Sequence, residues 1–293
     1  MKNKIIYFLF LIPFAAAAQD DLMKELEQSE KKEVELIEQT FKGTRLVNGQ
    51  TIETKGAGEL EFIFAHRFGA VNSGAYNLFG LDEAFVRLGL EYGITNRFGA
   101  GFGRNSVDKT MDGYLRYKLL AQSKGSKNIP VTVTAFANAA IRTSPKKADA
   151  TYAITTEDRM SYTGQLLIAR KFNSVLSLQL MPTIVHKNTV DKTIENNNTY
   201  ALGVGGRLKV SRSIALTSEY YYRLNTPAND PYYNSLGFGI DIETGGHVFQ
   251  LVMTNTRGLT ERAFLTETTG DFFNGNIHLG FNVTRTFQVK KRI

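Results

Sequence analysis

The four histidines, His66, His186, His247 and His278, are the first residues in this sequence whose type could carry chemistry. A serine hydrolase sets a serine, a histidine and an orienting carboxylate or amide on one face. His66 and His278 fall on opposite parities of their segments, and His247 lies beside a turn. His186 has Asn188 nearby but no serine on its face, and no G-x-S-x-G occurs. The same scatter defeats a three-histidine metal site. Glu59 with Glu61, and Asp241 with Glu243, are carboxylate pairs of the kind glycosidases use, yet both sit at segment ends with no sugar groove. Gly99-Ala-Gly-Phe-Gly103 and Gly203-Val-Gly-Gly206 fail as nucleotide loops, because Ser106 and Leu208 stand where the third glycine belongs. The chain has no cysteine, which excludes thiol catalysis, disulfides, cysteine-ligated metal and a lipoprotein anchor. The expectation is a protein that is not an enzyme and that needs no cofactor or metal.

Stepping along the chain shows what must position the remaining charges. In Gly58-Glu-Leu-Glu-Phe-Ile-Phe-Ala-His-Arg-Phe68, Leu60, Phe62 and Phe64 share one side, and Glu59, Glu61 and Arg67 share the other. A period of two over about ten residues marks a strand crossing a bilayer, apolar to lipid and polar to a lumen. The pattern recurs at 59–68, 84–93, 97–105, 112–121, 130–142, 160–171, 175–186, 198–209, 214–224, 235–243, 247–255 and 276–287. Short connections at 94–96, 172–174, 210–213 and 244–246 alternate with longer ones at 69–83, 143–159, 187–197, 225–234 and 256–275, while 122–129 is long for its side and 106–111 short for its own. Tight periplasmic turns, long outer loops and an even strand count are the marks of an outer-membrane barrel with both ends in the periplasm. The predicted fold is therefore all-β: an antiparallel up-and-down transmembrane β-barrel of about 12 strands, with a short N-terminal periplasmic helix.

Aromatic residues gather near the strand ends, among them Phe68, Tyr92, Phe98, Tyr162, Phe172, Tyr200 and Tyr222, as interfacial belts require. Pro182 lacks a ladder donor and predicts a bulge. In 247–255 the two parities compete for the lipid face, Phe249, Leu251 and Met253 against Val248 and Val252. The glycines repeated on inward positions are expected to give curvature and room.

Parity places Arg67, Arg87, Glu91, Arg116, Lys118, Arg142, Lys171, Arg207, Lys209, Glu219, Arg223 and Asp241 toward the lumen, with Glu59, Glu61 and Glu243. Nine cations then face six anions. One reading is a narrow channel for small polar or anionic solutes, filtered by the basic lining. The other is interlocked salt bridges filling a non-conducting barrel that anchors or docks envelope components.

Upstream, Lys2 and Lys4, the apolar run Ile5 to Phe14 and Ala16-Ala-Ala18 form a secretory signal over 1–18. The apolar run is shorter than the roughly 20 residues a membrane span needs. Residues 19–42 carry a net charge of −4 and read as an acidic periplasmic helix, followed by a lead-in at 43–58 and the barrel at 59–293. Their charge opposes that of the lumen, so this segment either plugs the barrel from below or is a mobile arm that meets a periplasmic partner or lies on the barrel rim. The chain's net charge of +7 suits contact with outer-membrane lipid and lipopolysaccharide, and no nucleic-acid partner is expected.

Phe41-Lys-Gly-Thr-Arg-Leu-Val-Asn-Gly-Gln50, Gly58 to Gly69, Arg87-Leu-Gly-Leu-Glu-Tyr-Gly-Ile-Thr95 and Asp112-Gly-Tyr-Leu-Arg-Tyr-Lys118 resemble an uncharacterised outer-membrane β-barrel family of Gram-negative bacteria. The resemblance spans about 41–293. It implies fold and location and carries over no functional residue.

Overall fold

A strand with one apolar and one polar face leaves its edges unpaired unless the sheet closes, and in lipid every backbone group must be paired. The computed structural model of the protein, which describes residues 33–144 and 154–290, shows that closure. The strands are β1 (Val34–Leu36), β2 (Glu59–Ala70), β3 (Ala84–Gly93), β4 (Phe98–Asn105), β5 (Met111–Leu120), β6 (Ser123–Gly125) and β7 (Thr132–Ile141). There follow β8 (Met160–Lys171), β9 (Leu176–Lys187), β10 (Asn198–Lys209), β11 (Ile214–Arg223), β12 (Leu236–Thr244), β13 (His247–Thr254) and β14 (His278–Gln288). Twelve of them form one closed antiparallel barrel in chain order, sealed where β14 pairs with β2. Each of the twelve expected strands is present, within two residues at either end.

The wall is two-faced throughout. Leu88, Leu90, Phe102, Leu115, Leu178, Leu180, Val204, Leu216 and Leu251 are exposed on the outside, while Arg87, Glu91, Arg116, Gln179 and Glu219 are buried on the inside. Short turns at one end, such as Ile94 to Arg97 and Phe172 to Val175, oppose long loops at the other. We call these the short-turn end and the long-loop end.

One open local reading of the sequence is settled and two are revised. In β13 the odd parity wins: Phe249, Leu251 and Met253 face out, and Val252 is buried inward beside Gln250 and Thr254. Pro182 makes no bulge. The register of β9 against β8 is the same on both sides of it, and only the pairing opposite Leu166 and Leu167 is missing, as a residue without an N–H dictates. The acidic helix expected over 19–42 is not formed at its described end, where Val34–Leu36 pairs as a strand with β6 beneath the short-turn end. Val34 and Leu36 alternate with Glu33 and Glu35, and that local period of two prevails over the sparser helical spacing. The signal at 1–18 and the rest of the acidic segment up to residue 32 lie outside the described residues.

Inside the ring, two segments fill the lumen. Residues 40–52 enter from the short-turn end as a hairpin, with Arg45 bridged to Gln50 and every residue but Lys42 buried. The loop after β13 folds in from the long-loop end and carries α1 (Glu261–Thr266), all six residues of which are buried. The apolar core lies between hairpin, loop and wall: Phe41, Leu46 and Ile52 meet Tyr114, Phe136, Leu167, Met181, Tyr221, Phe264 and Leu265.

Inward glycines make that filling fit. A Cβ on Gly101 would lie 2.1 Å from the Tyr114 ring, and one on Gly203 would lie 2.4 Å from the Tyr221 ring. At Gly205 it would meet Leu46 of the hairpin at 2.3 Å, and at Gly237 it would meet Val47 at 2.8 Å. These positions are flat seats for large inward groups.

Candidate functional site

The hairpin has little structure of its own. Leu46 N donates to Gly49 O at 2.9 Å, and Thr51 N to Thr44 O at 3.0 Å, which leaves most of its backbone groups to the wall. Those groups are buried and must be satisfied there. Glu219 on β11 takes the tip: its carboxylate accepts from the N–H of Val47 (3.2 Å), Asn48 (2.7 Å) and Gly49 (3.0 Å). Consecutive N–H groups converging on one point form an anion-binding nest, and here the anion is a side chain of the wall. Arg67 on β2 closes the other side, donating to Val47 O at 3.2 Å and to Asn48 Oδ1 at 2.9 Å. Asn282 and Gln250 donate to the Val47 and Leu46 carbonyls at 3.0 Å each.

The legs of the hairpin are held in the same way. Gln179 accepts from Ile52 N and donates to Gln50 O, and Thr134 donates to Ile52 O. Arg116 reaches Gln50 Oε1 at 2.6 Å and Glu53 O at 2.6 Å, while its Nε lies 3.1 Å from Glu91. Thr44 and Lys55 both engage Glu61, at 2.7 Å and 2.5 Å. Lys42 pairs with Glu243 near the short-turn end.

From the opposite mouth, Glu261 at the start of α1 accepts from Arg45 at 2.9 Å and from Gln50 at 2.6 Å. The two inserted segments therefore meet on a single carboxylate. Beside the hairpin tip the remaining void is about 10 Å³, among Arg45, Val47, Asn48, Arg67 and Arg87. A water needs roughly that much room.

The charges expected at the lumen divide into two groups. Arg67, Arg87, Glu91, Arg116, Arg207, Glu219, Arg223 and Asp241 are buried inside the ring. Arg87 pairs with Asp112 at 2.6 Å, Arg207 with Glu243 and Asp241, and Arg223 with Asp230 at 2.6 Å. Lys118, Lys171 and Lys209 are half-buried toward the short-turn rim, where Lys171 donates to Glu38 O. Arg142 is half-buried at the long-loop rim.

Sequence reasoning missed Asp112, which sits at the start of its strand, and missed the uncharged wall groups Gln179, Gln250, Asn282 and Thr134. Their inward parity was available as a signal. It also assigned the lead-in no role, although residues 43–52 hold the centre of the lumen.

At the long-loop end a cavity of about 700 Å³ opens above the plugged lumen, lined by Asp108, Arg142, Lys187, Glu195, Tyr232, Arg257 and Glu267 among others. Burial and the neighbouring Glu195 carboxylate push the Tyr232 hydroxyl up to about 12, so near neutral pH it is an uncharged donor. No histidine lines this cavity: His66 stacks on Phe281 and meets Phe68 edge to face, and His278 bonds the Phe68 carbonyl. Among the described residues, no group of three or more histidines and carboxylates is placed to hold a metal ion.

Apolar exterior, closed ring and an interior filled by the chain itself define a β-barrel of the membrane-bound class. Residues 41–287 match the family described as "Membrane bound beta barrel domain (DUF5777)", and the chain belongs to that family. No curated protein matches it. Among solved structures it is similar to the NanC porin, at 10% identity and a TM-score of 0.49 over 78% of this chain and 98% of that one. It is also similar to the KdgM porin in complex with disordered oligogalacturonate, at 10% identity and 0.47 over 78% and 99%. An outer-membrane channel of Pseudomonas putida F1 gives 14% identity and 0.43 over 80% and 98%. Likeness at this level carries no functional inference.

Proposed function

We propose that the protein is a passage in the outer membrane for small polar or anionic solutes, closed in the state described by its own hairpin. On this reading the signal at 1–18 exports the chain. The short-turn end, with the entry to the hairpin, faces the periplasm, and the long loops face outward among lipopolysaccharide. The observation that supports passage is the wall behind the plug. A barrel sealed for good is served equally well or better by apolar filling, since replacing buried ion pairs with packed hydrophobic residues is often neutral or stabilising. This wall instead keeps Arg67, Arg87, Arg116, Arg207, Glu61, Glu91 and Glu219, groups that water can solvate once the hairpin leaves. With Asp112 added to the inward set, nine cations face seven anions, which favours anions modestly.

The second reading, a non-conducting barrel that docks envelope components, draws on the completeness of the hairpin's bonding and on exposed β1, where a periplasmic partner of segment 19–42 would engage. One experiment separates the two. Residues 43–52 are replaced by a glycine–serine stretch of equal length, and single-channel conductance is measured in planar bilayers. Steady anion-preferring conductance in the variant, with rare openings in the wild type, is the expected result. A variant that inserts as a folded barrel and stays silent overturns the passage.

A further inference from the structure

Among the described residues, two guanidinium groups at the long-loop cavity form no ion pair, and the carboxylate of Asp191 in the same lining bonds Thr193. Asp108 and Glu267 both pair with Arg262, and Glu195 pairs with Lys187. Arg142 and Arg257 line the same cavity with no carboxylate partner among the described residues. Arg257 is nonetheless held in place, its guanidinium 5.3 Å above the Phe85 ring. A positioned cation without a counterion, in a cavity of about 700 Å³, has the makings of a small-anion site. Arg142 belongs to the wall just beyond β7, and Arg257 to the inward-folded loop.

That loop is also the upper contact of the hairpin. Glu261 and Arg262 are consecutive in α1 and face different partners: Glu261 holds Arg45 and Gln50, while Arg262 holds Asp108 and Glu267 at the cavity. An anion held by Arg142 and Arg257 joins wall to loop, and Asp108 and Glu267 of the same lining are the groups that hold Arg262. A shift of the short helix would take from Arg45 the Glu261 carboxylate that neutralises it. A buried cation left without its partner is strongly destabilising, so the hairpin loses a hold where wall contacts do not replace it.

We propose that the long-loop cavity is a receptor site for a small carboxylate-bearing solute and that its occupancy is transmitted through Glu261 to loosen the hairpin. The proposal rests on the closed-passage reading, and it adds the ligand class and the trigger. The test uses the full mature chain in lipid nanodiscs, with citrate, glucuronate and acetate as probes and glucose as the neutral control. Titration calorimetry reads binding. Because the chain has no cysteine, a Val47→Cys variant labelled with a water-soluble maleimide reads hairpin exposure.

At least one of the three carboxylates is expected to bind where glucose does not. The Arg142→Gln/Arg257→Gln variant should weaken that binding by at least about tenfold. The bound carboxylate should speed labelling at position 47. In a Glu261→Gln background, labelling should be fast without ligand while binding persists. Failure of all three carboxylates to bind overturns the receptor site, as does binding indifferent to the double arginine variant. Binding that leaves the labelling rate unchanged overturns the coupling. None of these results bears on the conductance of the hairpin-replaced barrel, so the two readings fail separately.

Discussion

The two segments that fill the lumen are built on opposite plans. The hairpin at 40–52 takes its shape from the wall: Glu219, Gln179, Gln250, Asn282 and Thr134 all bond its backbone. The loop at 255–270 supports itself. Phe264 N donates to Thr260 O, Glu267 N to Ala263 O, Thr266 Oγ1 to Arg262 O and Thr268 Oγ1 to Phe264 O. One segment is a guest held by its host, and the other is a self-supporting body that meets it through the Glu261 carboxylate and the shared apolar core. Changes in the wall therefore act on the hairpin directly, whereas changes within the loop reach it only where the two segments meet, at Glu261 above all.

The strongest way to sharpen this contrast is to fix the guest to its host. Val47 Cβ lies 3.3 Å from the position a Cβ would take on Gly237, close to disulfide reach. The oxidised Val47→Cys/Gly237→Cys variant should gain about 4 kcal/mol toward urea unfolding in vesicles, a gain that a reductant abolishes. Next in size is Glu219→Ala, which leaves the Val47, Asn48 and Gly49 donors facing nothing. A loss of about 3 kcal/mol is expected in the same titration, with Glu219→Gln milder because an acceptor oxygen remains.

Gly205→Leu tests the seat under Leu46. Overpacking there should lower stability by about 1–3 kcal/mol and expose the hairpin to proteolysis while the strand circular dichroism is retained. The smallest effect belongs to the loop. Thr266→Val should lose about 1 kcal/mol, with no change in hairpin protection. A large rise in hairpin cleavage from Thr266→Val would break the distinction between guest and self-supporting body.

The wall was readable because a bilayer enforces one rule on every strand. Leu60, Phe62 and Phe64 against Glu59, Glu61 and Arg67 state it locally, and it needs no knowledge of distant residues. Gly101 and Gly203 were readable in part: their inward parity signalled room, but only the fold shows that Tyr114 and Tyr221 use it. The hairpin was not readable. Thr44 to Ile52 has no period, since its conformation comes from donors and acceptors on strands far along the chain, such as Glu219 and Asn282.

The reading in which the acidic stretch 19–42 plugs a basic lumen, one of two left open by the sequence, drew on summed charge. The segment at the centre of the lumen carries Arg45, and what seats it is pairing group by group: Arg45 to Glu261, Arg116 to Gln50, backbone N–H groups to Glu219. Net charge averages away the information that buried pairing uses, and among the described residues it is 40–52 that fills the lumen from the short-turn end. The family match begins at Phe41, where the chain turns into the lumen.

Both legs of the hairpin leave by the same mouth. Lys42 pairs with Glu243 on one side of that rim, and Thr54 and Ala57 bond Asn96 in the turn on another. The loop carrying α1 likewise begins and ends at the opposite mouth, between β13 and β14. The lumen is thus occupied by two fingers that meet at Glu261 and in the apolar core, and neither is threaded from one side of the ring to the other. Nothing has to be unthreaded for either to withdraw, and the seam between β14 and β2 can stay shut while the interior empties and refills.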